Sequence, residues 1–421
     1  MSGECKLDRR LGALLSARKS KGRFRSLKEY DTSSSSDLTD FSSNDYLSLT
    51  TDADLRESYL SRLSNAETIL GSTGSRLLSG GTCAHRSLES RLAAHFNSPG
   101  LLFNSGWDAN VSFFSTVPQP GDIVVYDELI HASVHDGMRS SRLPSSSRLK
   151  FAHNDPTALA RLLESLDIRG GTIFLALEGL YSMDGDFAPL PAFLDVFDAH
   201  VPRAQQCVVV DEAHTTGVYG PGGRGIVHAL GLGDRVTVRL MTFGKGAGAS
   251  GAFLLCSETV RSFLVNFARP FIFSTAMPLS TVLALEAVWT FLASSKGDDK
   301  RTDLARVIAS LHAHLEPLLA RTSPGLLRLP DPTPVPFPGA VGLEPSPSAP
   351  IVGLLTPTPH ALSAFLLERG FIARPVVPPT VPPGGERVRV CLRAGVTDSR
   401  VAELVDVIGE WVERQQEKAR L

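Results

Sequence analysis

From about residue 87 onward, short apolar runs alternate with longer amphipathic segments, and this alternation limits the fold more than any other feature of the sequence. Helical patterns such as SLESRLAAHF separate the runs, which are bounded by Gly or Asp. Buried parallel strands joined by crossover helices produce this pattern. The sequence therefore predicts an α/β protein with a large doubly wound, mostly parallel sheet. The runs that predict its strands are GLLFNSG, DIVVYD, TIFLALEG, CVVVDEAH, RLMTFGK and GAFLLCS.

The two ends of the chain differ in pattern from this central part. Residues 4–19 alternate basic and apolar positions as a helix does, and the serine run 33–36 follows them. Beyond the helical pattern MPLSTVLALEAVWTFLA, the Pro-rich residues 330–350 predict a loop, because Pro interrupts helices and central strands. Strand-like and helical patterns then alternate to the end. We predict an N-terminal arm (1–50), a large α/β domain (51–290) and a small α+β C-terminal domain (291–421).

Composition excludes several classes of protein. Lys and Arg number 42 against 44 Asp and Glu, so the net charge of −2 argues against a nucleic-acid-binding protein. No run approaches the roughly 20 apolar residues that span a bilayer, and the N-terminus has no signal-peptide core, so we expect a soluble protein that is not secreted. Five scattered cysteines without a CxxC pair predict free thiols in a reducing compartment and no metal site.

Two motifs at predicted strand ends carry the chemistry. DEAH begins at Asp211, and TFGKG places Lys245 about thirty residues later. Ligands of open α/β sheets gather at such strand ends. A lysine and a carboxylate there suit pyridoxal phosphate, since the amine binds the aldehyde and the carboxylate keeps the pyridine nitrogen protonated. The alternatives are a surface lysine and a helix-start aspartate. A DEAH helicase is excluded because no GxxxxGK[ST] motif precedes it.

From Phe41 to the end, the chain resembles the α-oxoamine synthases, enzymes of fold type I that use pyridoxal phosphate to condense an amino acid with an acyl-CoA and release CO2. FAHND and PPTVPPG are similar to the branch that joins L-alanine to pimeloyl-CoA in biotin synthesis. The matching motifs are FSSNDYLSL, GSTGSRLLSGG, NSGWDAN, DELIHAS, FAHND, EGLYSMDGDFAPL, VVVDEAHTTGVYGPGGRG, TFGKGAGASGA, FARPFIFSTAMP and PPTVPPGGERVRV.

The resemblance implies catalytic roles for three residues. Lys245 forms the Schiff base and removes the Cα proton, so we expect burial or nearby positive charge to lower its pKa. Asp211 pairs with the pyridine nitrogen, and His131 stacks on the ring; without the motif, His131 reads as an ordinary helix-start histidine.

Further cofactor contacts are implied in the same way. His214 binds the phenolic oxygen and Ser182 lies near it. The phosphate meets a helix start formed by Ser105, Gly106 and Trp107, together with the Thr242 hydroxyl. The resemblance also implies a homodimer, in which Ser274 and Thr275 reach the cofactor of the neighbouring subunit.

Substrate contacts are implied for three more residues. Arg389 binds the carboxylate of the amino acid with Asn44 beside it, because a guanidinium can hold a carboxylate with two parallel hydrogen bonds. Arg25 in the arm meets the distal carboxylate of the acyl chain.

The chain departs from the family pattern at four places. Val377 stands where bacterial relatives often have Arg, with Arg374 three residues earlier. Ala247 replaces a Phe, and CLRAG follows the last strand where relatives place Thr or His. The Pro-rich insert is also longer. The acyl specificity is therefore left open.

Three other functions remain as alternatives: an oxoamine synthase for another acyl-CoA or amino acid in secondary metabolism, a non-catalytic partner subunit, and a simple aminotransferase. The final residues Ala419, Arg420 and Leu421 resemble a peroxisomal signal, so we expect a peroxisomal protein, with the cytoplasm as the alternative.

Overall fold

The computed structural model describes residues 5–30, 37–167, 170–330 and 349–420. Its helices are α1 (Lys6–Ser20), α2 (Ala53–Ser64), α3 (Cys83–Phe96), α4 (Gly106–Thr116), α5 (Ala132–Ser140), α6 (Pro156–Glu164), α7 (Leu190–His200), α8 (Ile226–Ala229), α9 (Glu258–Phe267), α10 (Arg269–Phe273), α11 (Leu279–Leu292), α12 (Ser295–Ala320), α13 (Pro359–Leu367) and α14 (Asp398–Arg420). Its strands are β1 (Thr39–Asp40), β2 (Gly100–Phe103), β3 (Ile123–Asp127), β4 (Arg148–Phe151), β5 (Ile173–Glu178), β6 (Gln206–Asp211), β7 (Val238–Thr242), β8 (Ala252–Leu255), β9 (Ile351–Leu355), β10 (Phe371–Ile372), β11 (Arg374–Val376) and β12 (Arg387–Cys391).

A seven-stranded sheet in the order β2-β8-β7-β6-β5-β3-β4 forms the centre of the described structure. The strands from β7 to β4 are parallel, and β8 runs antiparallel to both of its neighbours. The predicted α/β class and mostly parallel sheet are therefore confirmed. The edge strand β4 was not predicted, because three of its four residues are partly or fully exposed and it has no apolar run.

Burial on both faces explains why the strands read as continuous apolar runs. In β5, Leu175 and Leu177 join one core cluster, whereas Phe174 and Ala176 join a second. Alternate side chains of a strand point to opposite faces, so the two clusters lie on the two sides of the sheet. Helices cover both faces, as a doubly wound sheet requires.

The C-terminal strands form two small pairings of their own. Strands β11, β12 and β9 make an antiparallel sheet, and β10 pairs in parallel with β1. The run FIARPVV, predicted as one strand, is divided at Ala373 because Phe371 and Ile372 pair with β1 while the next residues pair with β12.

Residues 39–48 lie against these C-terminal strands, whereas α1 is exposed along its whole length. Phe41 and Tyr46 are fully buried. Their carbonyl oxygens accept hydrogen bonds from the amides of Cys391 at 2.7 Å and Ala394 at 2.8 Å. These bonds hold the FSSNDYL segment beside β12 and so position two of its side chains in the site described below.

Some predictions fall on other parts of the chain. The serine run 33–36, residues 331–348 of the Pro-rich insert and Leu421 lie outside the described residues. The loop, the peroxisomal destination and the domain boundaries stay predictions. Among the described residues, no helix combines the length and apolar character needed to cross a membrane.

Candidate active site

The ends of neighbouring parallel strands bring the predicted chemical groups to one edge of the sheet. Asp211 ends β6 and Thr242 ends β7, which lies beside it, and Lys245 follows three residues later. Glu178 ends β5 directly opposite Asp211. The convergence expected from the motif positions is present in the structure, and it adds a second buried carboxyl group, Glu178, that the sequence analysis missed.

Lys245 lies in a largely desolvated position against His214. Its Nζ is 2.7 Å from Nε2 of His214. Burial lowers the pKa of the Lys245 ammonium and Arg389 lowers it further, although two carboxyl groups oppose this shift. Burial, followed by the charge of Lys245, holds the pKa of His214 well below its usual range. The imidazole is therefore neutral, and Lys245 loses its proton more readily than an exposed lysine does.

A short network fixes Asp211 and His131 relative to each other. Asn110 donates from Nδ2 to Oδ2 of Asp211 at 2.8 Å and to Oγ of Ser133 at 3.0 Å. The Ser133 hydroxyl is 2.7 Å from Nδ1 of His131. His131 also caps α5, so both of its sequence readings are compatible with the structure. Asn110 and Ser133 lie within NSGWDAN and DELIHAS, but the motifs did not reveal this contact.

The start of α4 forms a cradle for an anion. Ser105 caps the helix by accepting a hydrogen bond from the Asp108 amide at 3.0 Å. A Cβ atom on Gly106 would lie 2.5 Å from Oγ1 of Thr242. That hydroxyl is buried and has no hydrogen-bond partner among the described residues. An unsatisfied donor beside a helix N-terminus is a favourable place for phosphate.

Arg389 presents a buried cation to the same site. The residue is 8% exposed, and its guanidinium donates to the carbonyl of Ser182 at 2.6 Å and to Oδ1 of Asn44 at 3.1 Å. A third bond goes to the sulfur of Cys391. None of the carboxyl groups in the described ranges forms an ion pair with it. A buried guanidinium that lacks a counterion favours binding of an anion.

Other predicted residues lie at the edge of this arrangement or outside it. Trp107 is 45% exposed and meets the His131 ring edge-to-face, with ring centroids 5.9 Å apart. Ser274 and Thr275 follow α10 and contact the side chain of Asn104. Arg25 is exposed in the segment after α1 and has no hydrogen bond to any described residue. The structure does not bring Arg25 into the site, and its role stays a prediction.

A family model described as aminotransferase class I and II matches residues 36–408. The chain belongs to that family. Enzymes of the family use pyridoxal phosphate, so this aminotransferase-family chain is a pyridoxal-phosphate-dependent transferase of fold type I.

Several relatives make the resemblance more specific. The 8-amino-7-oxononanoate synthase of Emericella nidulans is 41% identical over 397 residues, which cover 92% of each chain. The aminoacyl transferase sphA of Aspergillus fumigatus is 32% identical over 89% of this chain and 81% of that protein. The serine palmitoyltransferase of Sphingomonas wittichii has the same fold, with a TM-score of 0.79, 25% identity, and coverage of 97% of this chain and 98% of that one. The resemblance inferred from the motifs is confirmed.

The residues of this family member fit its cofactor. The α4 cradle with the unpartnered Thr242 hydroxyl suits the phosphate, and Lys245 suits the aldehyde. Asp211 provides a buried carboxylate that two hydrogen bonds hold in place. The phosphate, the aldehyde and the pyridine nitrogen of pyridoxal phosphate therefore each have a chemically matched group at this edge of the sheet.

Gly106→Ala is expected to weaken binding of pyridoxal phosphate at least about tenfold. The new methyl group would lie 2.5 Å from Oγ1 and 3.2 Å from Cγ2 of Thr242, so the hydroxyl must leave its place in the cradle. Equilibrium dialysis measures the affinity. Gly233→Ala is the matched control, because no atom lies within 4 Å of its Cβ position. Equal affinities for the two variants would contradict the assignment of the cradle.

The FAHND motif forms a clamp near Arg389 that the sequence analysis did not assign. His153 lies between two carboxyl groups, with Nδ1 2.8 Å from Asp127 and Nε2 2.9 Å from Asp186. It thereby ties the end of β3 to the loop that contains Ser182. Burial lowers the pKa of the His153 imidazolium, but hydrogen bonds to the two carboxylates outweigh it and raise the pKa to about 10.

His153→Gln is expected to lower the free energy of unfolding by about 3 kcal/mol at pH 6, because a buried ion pair loses one partner. A raised folded-state pKa gives stability that is complete below the unfolded value near 6.5 and is lost as the pH rises through about 10. The difference between the two proteins must therefore shrink across that range in urea titrations. Exposed His360→Gln is the control, and a pH-independent difference would argue against a charged His153.

Proposed function

We propose that the protein catalyses the decarboxylative condensation of L-alanine with pimeloyl-CoA to 8-amino-7-oxononanoate, CoA and CO2, a step of biotin synthesis. The observation that carries the proposal is the buried Arg389. It has no counterion among the described residues, and it lies close enough to Lys245 to lower the pKa of that lysine. An amino acid bound through its carboxylate at Arg389 has its Cα near the lysine. The 41% identity to the Emericella nidulans synthase supports the choice of substrates.

Pyridoxal phosphate supplies an aldehyde that binds amines and a ring that draws electrons from the adjacent Cα. The neutral amine of Lys245 would hold the cofactor through its aldehyde, and after displacement by the amino acid the same Nζ would accept the Cα proton. Arg389 and Asn44 hold the amino-acid carboxylate, which fixes the orientation of the Cα–H bond. Asp211 would keep a proton on the pyridine nitrogen, and His131 would cover the ring. His214 would provide a hydrogen bond to the phenolic oxygen.

One observation favours a second candidate, an oxoamine synthase that uses a different acyl-CoA. Val377 is apolar where bacterial relatives often have Arg, and the chain is 32% identical to the aminoacyl transferase sphA.

Arg374 lies directly opposite Arg389 on the neighbouring strand, so both side chains emerge from the same face. Its guanidinium lies 4.9 Å from the ring centre of Tyr30 and has no carboxyl partner among the described residues. Arg374 can therefore take over recognition of a distal carboxylate, which favours pimeloyl-CoA.

Product mass distinguishes these reactions. The purified protein loaded with pyridoxal phosphate is mixed with L-alanine and pimeloyl-CoA, and parallel samples contain glycine, serine or a plain acyl-CoA. We expect a decarboxylated amino-ketone that retains the distal carboxylate. CoA release only with another acyl-CoA or amino acid would establish the second candidate. Exchange of the amino group with a keto acid and no CoA release would identify an aminotransferase, and no reaction at all is the result for a non-catalytic subunit.

We further propose a homodimer in which Ser274 and Thr275 border the site of the partner. Large apolar side chains are exposed around these residues, and contiguous exposed apolar surface is typical of an interface. Backbone bonds from Ala276 to Gly74 and from Leu279 to Leu70 join the two segments involved. The exposed side chains are Leu70 (75%), Leu78 (83%), Phe267 (56%) and Phe273 (69%). Light scattering after size-exclusion chromatography gives the mass in solution.

A further inference from the structure

A continuous chain of hydrogen bonds links the carboxylate-binding arginine to the lysine. Arg389 Nη2 lies 3.1 Å from Asn44 Oδ1, and the Tyr46 hydroxyl lies 3.1 Å from the same oxygen. Tyr46 Oη is 2.6 Å from Nδ1 of His214, whose Nε2 is 2.7 Å from Lys245. Tyr46 and His214 are both buried, so no water competes for the bond between them.

When Lys245 is an ammonium, the donor and acceptor roles along the chain take one self-consistent direction. A guanidinium only donates, so the Asn44 atom that faces it is the carbonyl oxygen. The Tyr46 hydroxyl has one proton, which it donates to that oxygen, and it can then only accept from His214. Because the imidazole is neutral, a proton on Nδ1 leaves Nε2 as an acceptor for the Lys245 ammonium.

We propose that Tyr46 is a positioning residue that holds His214 in the Nδ1–H tautomer and thereby makes His214 a hydrogen-bond acceptor for Lys245. The arrangement can reverse. If the Tyr46 hydroxyl turns from Asn44 to Nδ1 of His214, the imidazole proton lies on Nε2, which then donates to an acceptor such as a phenolic oxygen. The direction of one hydroxyl thus decides whether His214 accepts from an ammonium or donates to an anion.

The same chain couples the two halves of the site. Asn44 Oδ1 accepts hydrogen bonds from both Arg389 and Tyr46. A substrate carboxylate that binds Arg389 and moves it away from Asn44 would therefore alter the hydrogen bond between Asn44 and Tyr46. The part of the inference that concerns Lys245 rests on the proposed function. The part that concerns the tautomer of His214 does not depend on it, since it is argued from the Tyr46–His214 contact.

Charged and titratable groups from several elements face this chain of hydrogen bonds and contribute to the pH dependence of its protonation. Those near Lys245 are Asp211, Glu178, Arg389 and His214, those near His214 are Lys245, Arg389 and His131, and those near Tyr46 are Cys391, Arg389 and Tyr219. Replacing Tyr46 by Phe leaves all these groups in place and removes one hydroxyl, so a change in protonation reports on that hydroxyl.

The tautomer is measured directly by nitrogen-15 NMR of histidine in the full-length, cofactor-free chain, with the His214 signal assigned from its loss in His214→Gln. We expect the Nδ1–H form in the unsubstituted protein and a large Nε2–H fraction in Tyr46→Phe. Asn44→Ala retains the phenol but removes its acceptor, so it must shift the proton the same way. Tyr126→Phe, which removes a hydroxyl from β3, is the control. Predominant Nε2–H in the unsubstituted protein would overturn the proposal.

A second readout follows Lys245 itself. Only the neutral amine reacts with pyridoxal phosphate, so the pH midpoint of that reaction reports the proton affinity of the lysine. Loss of the acceptor at His214 destabilises the ammonium, and we expect the midpoint to fall by about one unit, a tenfold change, in Tyr46→Phe. An unchanged midpoint would overturn the link to Lys245. Neither measurement uses the substrates, so failure here is distinct from failure of the proposed reaction.

Discussion

Lys245→Ala is expected to abolish turnover, with a loss of at least about 1,000-fold, and to remove the visible absorbance of the lysine-bound cofactor. The proposed function gives the lysine two tasks. Its amine is desolvated and faces a neutral His214, which makes it the group most able to attack an aldehyde. It is also the base that we propose for a substrate held by Arg389. The measurements are CoA release and the absorption spectrum after addition of pyridoxal phosphate.

Lys296→Ala is the matched control for this change. Lys296 is an exposed lysine paired with the equally exposed Asp54, so its loss should leave both readouts unaltered. If Lys245→Ala retained turnover while binding the cofactor, the proposed base would be wrong. If it kept the native circular dichroism spectrum and still bound the cofactor but lacked the visible absorbance, that loss would identify Lys245 as the covalent attachment point.

The strands of the central sheet could be predicted because each is buried on both faces. Such strands read as uninterrupted apolar runs, as in IFLALE of β5 and QCVVVD of β6. β4 has the sequence RLKF and one buried residue, so it carries no such signal. The division of FIARPVV between two sheets also has no local signal, because it depends on which distant strands, β1 and β12, supply the partners.

The residues at strand ends could be predicted for a related reason. Strand topology brings Asp211 and Lys245 together whatever the loops do, and motifs mark both positions. The residues that orient them could not be found in this way. Asn110 acts on Asp211 from 101 positions away, and Tyr46 acts on His214 from 168 positions away. Such contacts depend on how helix α4 and the FSSNDYL segment pack against distant parts of the chain. The residues next to each contact in the sequence give no sign of that packing.

Two arginines on β12 are both buried, and the presence or absence of a counterion separates a structural charge from a functional one. Arg387 is 3% exposed and forms an ion pair with Asp184 at 2.5 Å. Arg389, two residues along and on the same face, is buried to a similar degree but has only neutral partners in the described structure. A buried cation without a counterion costs stability, and proteins retain such groups at sites where a ligand supplies the missing charge.

Arg389→Met is therefore expected to lower kcat/KM for the amino acid by about 100-fold or more, through loss of a desolvated ion pair with the substrate. Its free energy of unfolding should fall little, because no carboxylate is left unpaired. Arg387→Met should show the opposite pattern, with about 3 kcal/mol lost in urea unfolding because Asp184 loses its partner. Arg389→Lys retains the charge but not the two parallel hydrogen bonds, so an intermediate loss of about tenfold is expected. Equal kinetic losses in Arg389→Met and Arg387→Met would mean that Arg389 stabilises β12 and that the amino-acid carboxylate binds elsewhere.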